Sequence, residues 1–198
     1  MLKGDCERLD PRIRRTRHLL QDALRRLLEE KEFDKVTIQD ITEAATLNRA
    51  TFYAHYPDKF ALLGELIRVN FLELFAQRNV RFDGSCSSAF LAIILVVCDY
   101  LAEVQKSHSS NQHQFEPFVE ATVIDQIRQI LLEGFRSHPA ERPISPEIIA
   151  ATASWAIYGA VKQWLNTPDR IPAEKFAGVA ADLVHPIVTA GVEQISKA

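Results

Sequence analysis

The chain has 198 residues, of which 47% are hydrophobic and 25% charged, a composition typical of a soluble globular protein with a packed core. Its three cysteines, Cys6, Cys86 and Cys98, form no CxxC pair, which argues against a disulfide framework or a zinc site and predicts a cytoplasmic protein. No G-x-S-x-G, H-E-x-x-H or P-loop motif is present, so we expect neither an enzyme nor a cofactor.

The net charge of −3 does not by itself indicate a nucleic-acid-binding protein. Near the N-terminus, however, four arginines fall within six positions, at Arg12, Arg14, Arg15 and Arg17. Such a run is either the solvated face of a helix or a set of phosphate-binding side chains. The neighbouring helices decide between these two interpretations.

The first predicted helix begins at Asp10-Pro11, a capping side chain followed by a proline at the first helical position. Apolar residues then recur at helical spacing and predict one buried face: Leu20, Ala23, Leu24, Leu27 and Leu28. The helix is expected to end near Phe33. Residues 1–9 are expected to form a flexible tail.

Three further helices are predicted in quick succession. Thr37 caps the second, with Asp40 three residues later in a box-like arrangement, and Thr46-Leu47 forms a turn. Asn48 caps a short third helix that Pro57 must stop. Asp58 caps a fourth of about five turns. Two short helices across a tight turn, behind a longer one, describe a helix-turn-helix unit.

The third helix has an outward face suited to a DNA groove. Phe52 and Tyr56 are i, i+4 neighbours that can share the buried side, so Ala50, Thr51 and Tyr53 turn outward with Ala54. This face is small, polar and aromatic, and it carries no carboxylate. Arg49 lies in the first turn, while His55 and Lys59 flank the far end. An ordinary three-helix bundle with an incidental short helix is the alternative.

The stretch from Val36 to Ile41 and from Thr51 to Lys59 resembles the signature of the TetR family of repressors. The resemblance covers about the first third of the chain. It implies an all-α dimer, with a DNA-binding domain at residues 1–57 and a larger helical regulatory and dimerisation domain at 58–198. The partners it implies are palindromic operator DNA, a second copy of the chain and a small-molecule effector; we expect no membrane partner.

Site residues are assigned from this resemblance together with the arginine run. We expect one set to supply affinity through the DNA backbone: Arg15, Arg17, Thr37, Tyr53, His55 and Lys59. A second set is expected to read bases: Arg49, Ala50 and Thr51. Alanine at Lys59 should then flatten the salt dependence of binding by about one unit. Thr46 stands where the family has glycine, and Asn48 where it has serine.

The remaining chain is predicted to be helical with two loops. An apolar helix is expected from Ser85 to Lys106, with residues 107–114 as a loop and Pro117 opening the next helix. Ser145-Pro146 starts a helix that reaches about Asn166, and the last helix, from about Pro172, should kink at Pro186. His108 and His113 are expected to be loop histidines and not metal ligands. The apolar run 89–98 is too short to span a bilayer.

Aromatic side chains in this half could line an apolar pocket for an apolar or aromatic effector, although each could equally be plain core: Phe75, Phe90, Phe115, Phe118, Trp155 and Tyr158. The last two helices could form a dimer interface, as in the family, or close a monomeric core. Two other functions stay open. One is an adaptor that has lost DNA binding; the other is a thiol redox sensor using Cys86 or Cys98.

Overall fold

The computed structural model describes residues 10–78, 87–107, 112–139 and 144–189, and at 87, 107 and 112–115 the backbone alone. Within these residues the regular elements are eight α-helices and a 3₁₀ turn at Phe33–Lys35. In chain order the helices are α1 (Pro11–Glu30), α2 (Ile38–Ala44), α3 (Arg49–His55), α4 (Lys59–Gln77), α5 (Ser87–Ser107), α6 (Gln112–Ser137), α7 (Pro146–Leu165) and α8 (Ala173–Thr189). The all-α prediction is confirmed.

Helix α1 starts as its sequence predicts. The Asp10 carboxylate accepts a hydrogen bond from the Arg12 backbone N–H, and Pro11 occupies the first helical position. Leu20, Ala23 and Leu24 are fully buried, and this face packs against α2 and α4. The helix therefore forms the back of a three-helix head.

Helix α2 begins with a complete capping box. The Thr37 hydroxyl accepts from the Asp40 N–H at 3.1 Å, and the Asp40 carboxylate accepts from the Thr37 N–H at 2.7 Å. A salt bridge from Lys31, and the hydrogen bonds that the Thr37 N–H and hydroxyl donate to the carboxylate, lower the pKa of Asp40 to about 2. The native state thus gains stability from this ionised carboxylate above about pH 4, and loses it as the pH falls towards 2.

The turn between α2 and α3 keeps the backbone that a glycine would favour. Thr46 has φ of 56°, in the left-handed region, although it is β-branched. The Leu47 N–H closes the turn by donating to the Thr42 carbonyl at 2.8 Å. Thr46 therefore costs about 1 kcal/mol relative to glycine, and the geometry of the turn is retained.

The predicted caps of α3 and α4 are confirmed. The Asn48 side chain accepts from the Thr51 N–H at 2.7 Å, and that of Asp58 accepts from the Ala61 N–H at 2.8 Å. Helix α3 ends at His55, just before Pro57. Helix α4 runs from the head into the remaining helices, which form a body.

Helix α5 is the central helix of this body, and the expectation of a buried helix over 89–98 is confirmed. Phe90, Ile93, Ile94 and Val97 are at most 1% exposed, and the helix packs against α4, α7 and α8. By length and composition alone it could cross a membrane, but half of that stretch is buried inside the fold. Its apolar character is that of a core helix.

Helix α6 corrects one prediction. It begins at Gln112, so Pro117 lies inside it and does not open it, and the expected loop is shorter than 107–114. Pro117 is the sixth residue of the helix, so it removes the hydrogen bond to the carbonyl four residues earlier and crowds that carbonyl. Residues 108–111, with His108, lie outside the described part of the chain, as does the side chain of His113.

Helices α7 and α8 pack against each other at the end of the body. Ser145 caps α7 ahead of Pro146, as predicted, and α8 continues through Pro186 to Thr189. Trp164 joins the pair: its ring stacks on Phe176 at 5.1 Å, the Arg170 guanidinium lies 5.0 Å from its ring, and its indole N–H donates to the Ile171 carbonyl. The kink at Pro186 stays a prediction.

Candidate nucleic-acid interface

Helix α3 turns one side into the head and the other into solvent. Phe52 is fully buried and Tyr56 is 5% exposed, whereas Tyr53 is 50% exposed. The Phe52 ring meets those of Tyr53 and Tyr56 at 5.6 and 6.0 Å. The buried pair predicted from the sequence is confirmed. A short helix is thereby held with Arg49, Ala50 and Tyr53 on its open side.

Thr51 is half-buried and tied to the helix cap. Its hydroxyl donates to the Asn48 side-chain oxygen at 2.9 Å, beside the 2.7 Å bond from its own N–H. The hydroxyl proton is therefore used within α3, while the methyl group and the oxygen lone pairs stay available. A side chain in this state can contact a thymine methyl group or accept from a base amino group.

The Thr37 hydroxyl is engaged in the same way. It donates to the Asp40 carboxylate at 2.8 Å. A phosphate oxygen can only accept hydrogen bonds, so the Thr37 proton would have to leave Asp40 to reach one. Its role at the DNA backbone stays a prediction that requires this exchange.

Lys59 does not present its ammonium to the open side. The Nζ atom donates to the carbonyls of Phe33, Asp34 and Val36 at 2.9, 3.2 and 2.8 Å, which uses its three N–H bonds. The ammonium also lies 4.6 Å from the centre of the Phe33 ring. The sequence expectation of a phosphate contact needs revision: Lys59 holds the α1–α2 connection against the start of α4.

We expect Lys59→Met to lower the free energy of unfolding by about 1–3 kcal/mol, because carbonyls bonded to a charged donor lose it. The salt dependence of DNA binding should stay unchanged. Thermal unfolding and salt titration of DNA binding measure the two effects. Lys35→Met is the matched control, since Lys35 is exposed and pairs only with Glu32 among the described residues. A salt slope smaller by about one unit in Lys59→Met would restore the phosphate role.

Three more of the predicted backbone contacts are Arg15 and Arg17 on α1 and His55 at the end of α3. Arg15 is exposed; Arg17 is half-buried, with its guanidinium 6.0 Å from the Tyr56 ring. Burial, and then the charge of Arg17, lower the pKa of His55 below its usual value. Burial thus disfavours the charged form of His55 in the DNA-free chain, and an imidazole N–H can donate one hydrogen bond to a phosphate.

Two side chains that hold the head together were missed by the sequence analysis. Gln21, which is buried, donates to the Tyr56 hydroxyl at 3.4 Å, and Arg26 donates to the Ala44 carbonyl at the end of α2 at 3.2 Å. The partners are 35 and 18 residues apart in the chain. No local pattern marks such pairs, because periodicity reports only which residues share a face.

The described aromatics among the six expected to line a pocket stand in different surroundings. The prediction is wrong for Trp155, which is 59% exposed on the outer side of α7. Phe90 and Tyr158 are buried in the core, and Phe118 stacks on Phe60 at 5.3 Å. Phe75 is half-buried against the core, and the side chain of Phe115 lies outside the described residues. A cleft of about 720 Å³ lies in another part of the fold. Of the five predicted aromatics whose side chains the structure describes, none lines this cleft.

Cys98 is a poor candidate for a redox sensor. It is 1% exposed, and burial, with the Asp99 charge next, raises the pKa of its thiol to about 12. A thiol in this state is not a thiolate at cellular pH and reacts slowly with oxidants. Cys6 and Cys86 lie outside the described residues.

The chain is similar to known regulators. A family model described as bacterial regulatory proteins, tetR family, matches residues 20–66, which span the two short helices and part of α1. The HTH-type transcriptional regulator YxbF of Bacillus subtilis is 41% identical over 176 residues, 86% of this chain and 46% of YxbF. EthR of Mycolicibacterium smegmatis, also an HTH-type transcriptional regulator, is 25% identical over 80% of this chain and 60% of EthR.

The chain thus spans about half of the length of the curated relatives it matches. Among solved structures, a TetR transcriptional regulator from Streptococcus agalactiae superposes with a TM-score of 0.54 and 23% identity. That match covers 87% of this chain and 95% of the other. At this level of identity the likeness supports the fold, including the arrangement of head and body helices.

Proposed function

Because the chain belongs to the TetR family of transcriptional regulators, we propose that it is a dimeric, cytoplasmic repressor that binds palindromic operator DNA and is released by a small molecule. Residues 1–57 form the DNA-binding domain in this proposal, and 58–198 the regulatory and dimerisation domain. No enzymatic activity is part of it.

The observation that carries the proposal is the orientation of α3. With Phe52 and Tyr56 inside the head, the side chains of Arg49, Ala50 and Tyr53 are left on one open surface without a carboxylate. Such a surface can enter the major groove, where a carboxylate would be repelled by phosphates. Arg49 and Ala50, with Thr51, are proposed to contact bases.

Phosphate contacts are proposed for Arg15, Arg17, Tyr53 and His55. Arg15 and Tyr53 are exposed, Arg17 lies beside the Tyr56 ring, and His55 is within reach of the Arg17 charge. Phosphate contacts position a protein on the duplex, and base contacts select the sequence. We keep Lys59 out of this set and give it a structural role.

The dimer is proposed to form through the outer sides of α7 and α8. Exposed apolar side chains lie on both helices: Ile148 and Trp155 are each 59% exposed, Val179 52% and Leu183 70%. They recur at helical spacing, at positions 148 and 155 on α7 and 179 and 183 on α8. The glycine at 159 continues the row on α7, and a Cβ there would meet nothing within 4 Å. A second copy related by a two-fold axis would cover this surface and set two heads side by side.

For an effector to release the DNA, a change in the packing of the body helices must alter the positions of the heads. An aromatic stack offers one route: Phe118 on α6 stacks on Phe60 at the start of α4, and the Phe60 ring meets Phe33 edge-on at 5.3 Å. A ligand that favours one packing of the body helices would shift this contact and the spacing of the heads. An apolar or aromatic effector suits the apolar body.

The test is selection of bound sequences from random duplex DNA, followed by salt titration. We expect an inverted repeat with half-sites about one helical turn apart, or a multiple of it. Arg49→Ala should weaken binding to the selected DNA site by roughly 1–3 kcal/mol. The loss should be smaller on DNA sites in which the bases that Arg49 contacts have been changed.

If Arg49→Ala weakens binding equally on every DNA sequence tested, Arg49 contacts the DNA backbone and not the bases. Absence of salt-sensitive DNA binding would overturn the proposal and favour the adaptor alternative.

A further inference from the structure

A cleft of about 720 Å³ opens between the head and the body. One wall is α1 of the head; the others are α4, α5 and α6. The floor is apolar, with Leu63, Leu66, Ile67 and Val119 at most 6% exposed. A volume of this size accommodates a small organic molecule.

The rim of the cleft is acidic. Carboxylates stand on α1, α4 and α5, at Asp22, Glu29, Glu73 and Glu103. The one arginine in the lining, Arg25, is already held, at 2.7 Å by Asp22 and at 3.1 Å by the Asn70 side chain. Glu29 and Glu73 form no ion pair among the described residues. Carboxylates around a low-dielectric groove focus a negative potential into it.

A buried polar group also faces this space. Gln21 lines the cleft and is 4% exposed, and its one hydrogen bond among the described residues is the 3.4 Å donation to Tyr56. Gln21 therefore adds a polar, uncharged group to the lining of the cleft.

We infer that this cleft binds an amphipathic organic cation, with its apolar part on the floor between α4 and α6 and its cationic group between Glu29 and Glu73. The apolar floor alone would accept any apolar ligand. The carboxylates of the rim make the cleft selective for ligands that carry a positive charge. Anionic ligands of the same shape are disfavoured because the carboxylates of Glu29 and Glu73 stand in the rim.

A ligand in this cleft would touch the head through α1 and the body through α4, α5 and α6 at once. Its affinity therefore depends on the angle between them, so it would shift the population of head positions. The consequence for DNA rests on the proposed function. The binding site itself does not.

The experiment is calorimetric titration of the full chain with n-octyltrimethylammonium, octanoate and octanol. We expect the cation to bind most tightly. E29Q/E73Q should weaken cation binding by roughly 3–20-fold, because each exposed carboxylate contributes a modest attraction. Octanol binding should not change. The matched control is E30Q/E147Q, which alters the net charge equally outside the cleft.

Equal affinity for all three probes, or equal weakening in E29Q/E73Q and E30Q/E147Q, would overturn the site. DNA binding is then measured with and without the cation. If the cation binds as expected but DNA binding is absent, the proposed function fails and the site stands. If the chain binds DNA and the cation does not bind, the inference fails alone.

Discussion

Phe52→Ala is expected to lower the free energy of unfolding of the head by about 3–5 kcal/mol and to abolish specific DNA binding. Phe52 is fully buried and is the side chain that holds α3 against the head. Its removal leaves a cavity under a helix of seven residues, which is too short to persist without its packing. Hydrogen exchange of the α3 amides measures the first effect, and binding to the selected operator the second.

Tyr53→Ala is the matched comparison for Phe52→Ala. It removes a neighbouring aromatic that is half-exposed, so we expect a stability change within about 1 kcal/mol. Operator affinity should nevertheless fall. If Tyr53→Ala destabilises the head as much as Phe52→Ala does, the assigned orientation of α3 is wrong, and the proposed DNA surface with it.

Leu183→Glu is expected to convert the proposed dimer to monomer at micromolar concentration. The side chain is 70% exposed in the single chain, so the change should cost the monomer little. In a two-fold interface each substitution occurs twice, and burying two leucines is worth about 3–6 kcal/mol. The dissociation constant should therefore rise by roughly 100-fold or more. Sedimentation velocity over a concentration series measures it.

Leu19→Glu is the control for the dimer prediction. Leu19 is also an exposed leucine, at 39%, but it lies on α1 in the head. It should leave assembly unchanged. Weakened assembly in Leu19→Glu with none in Leu183→Glu would place the interface elsewhere, and the two heads would not then be spaced as the palindromic operator requires.

The sequence predicts the head of this protein well because its signals are local. The side chains of Asp10, Thr37, Asn48 and Asp58 each accept a hydrogen bond from an N–H two or three residues later. Such caps depend on residues that are close together in the chain, so they can be predicted without knowledge of the tertiary fold. The buried pair on α3 follows from spacing alone, given only that one side of a short helix must be covered.

Apart from the start of α6, where Pro117 lies inside the helix, the predictions that failed concern contacts between distant segments. Lys59 reaches carbonyls more than 20 residues away, and the charge at the start of α4 gives no sign of this. Trp155 was expected in a pocket because it is large and apolar. Periodicity places it on one side of α7 but does not tell whether that side faces the core or a second chain.

The two tryptophans of the chain stand in contrasting surroundings. Trp155 projects from α7 into solvent, while Trp164 is half-buried and contacts Phe176, Arg170 and the Ile171 carbonyl. Their fluorescence therefore reports two different events. Covering Trp155 by another chain would shift its emission to shorter wavelength and shield it from iodide, whereas opening of the α7–α8 connection would change the emission of Trp164. Assembly and unfolding can thus be followed separately in one unlabelled sample.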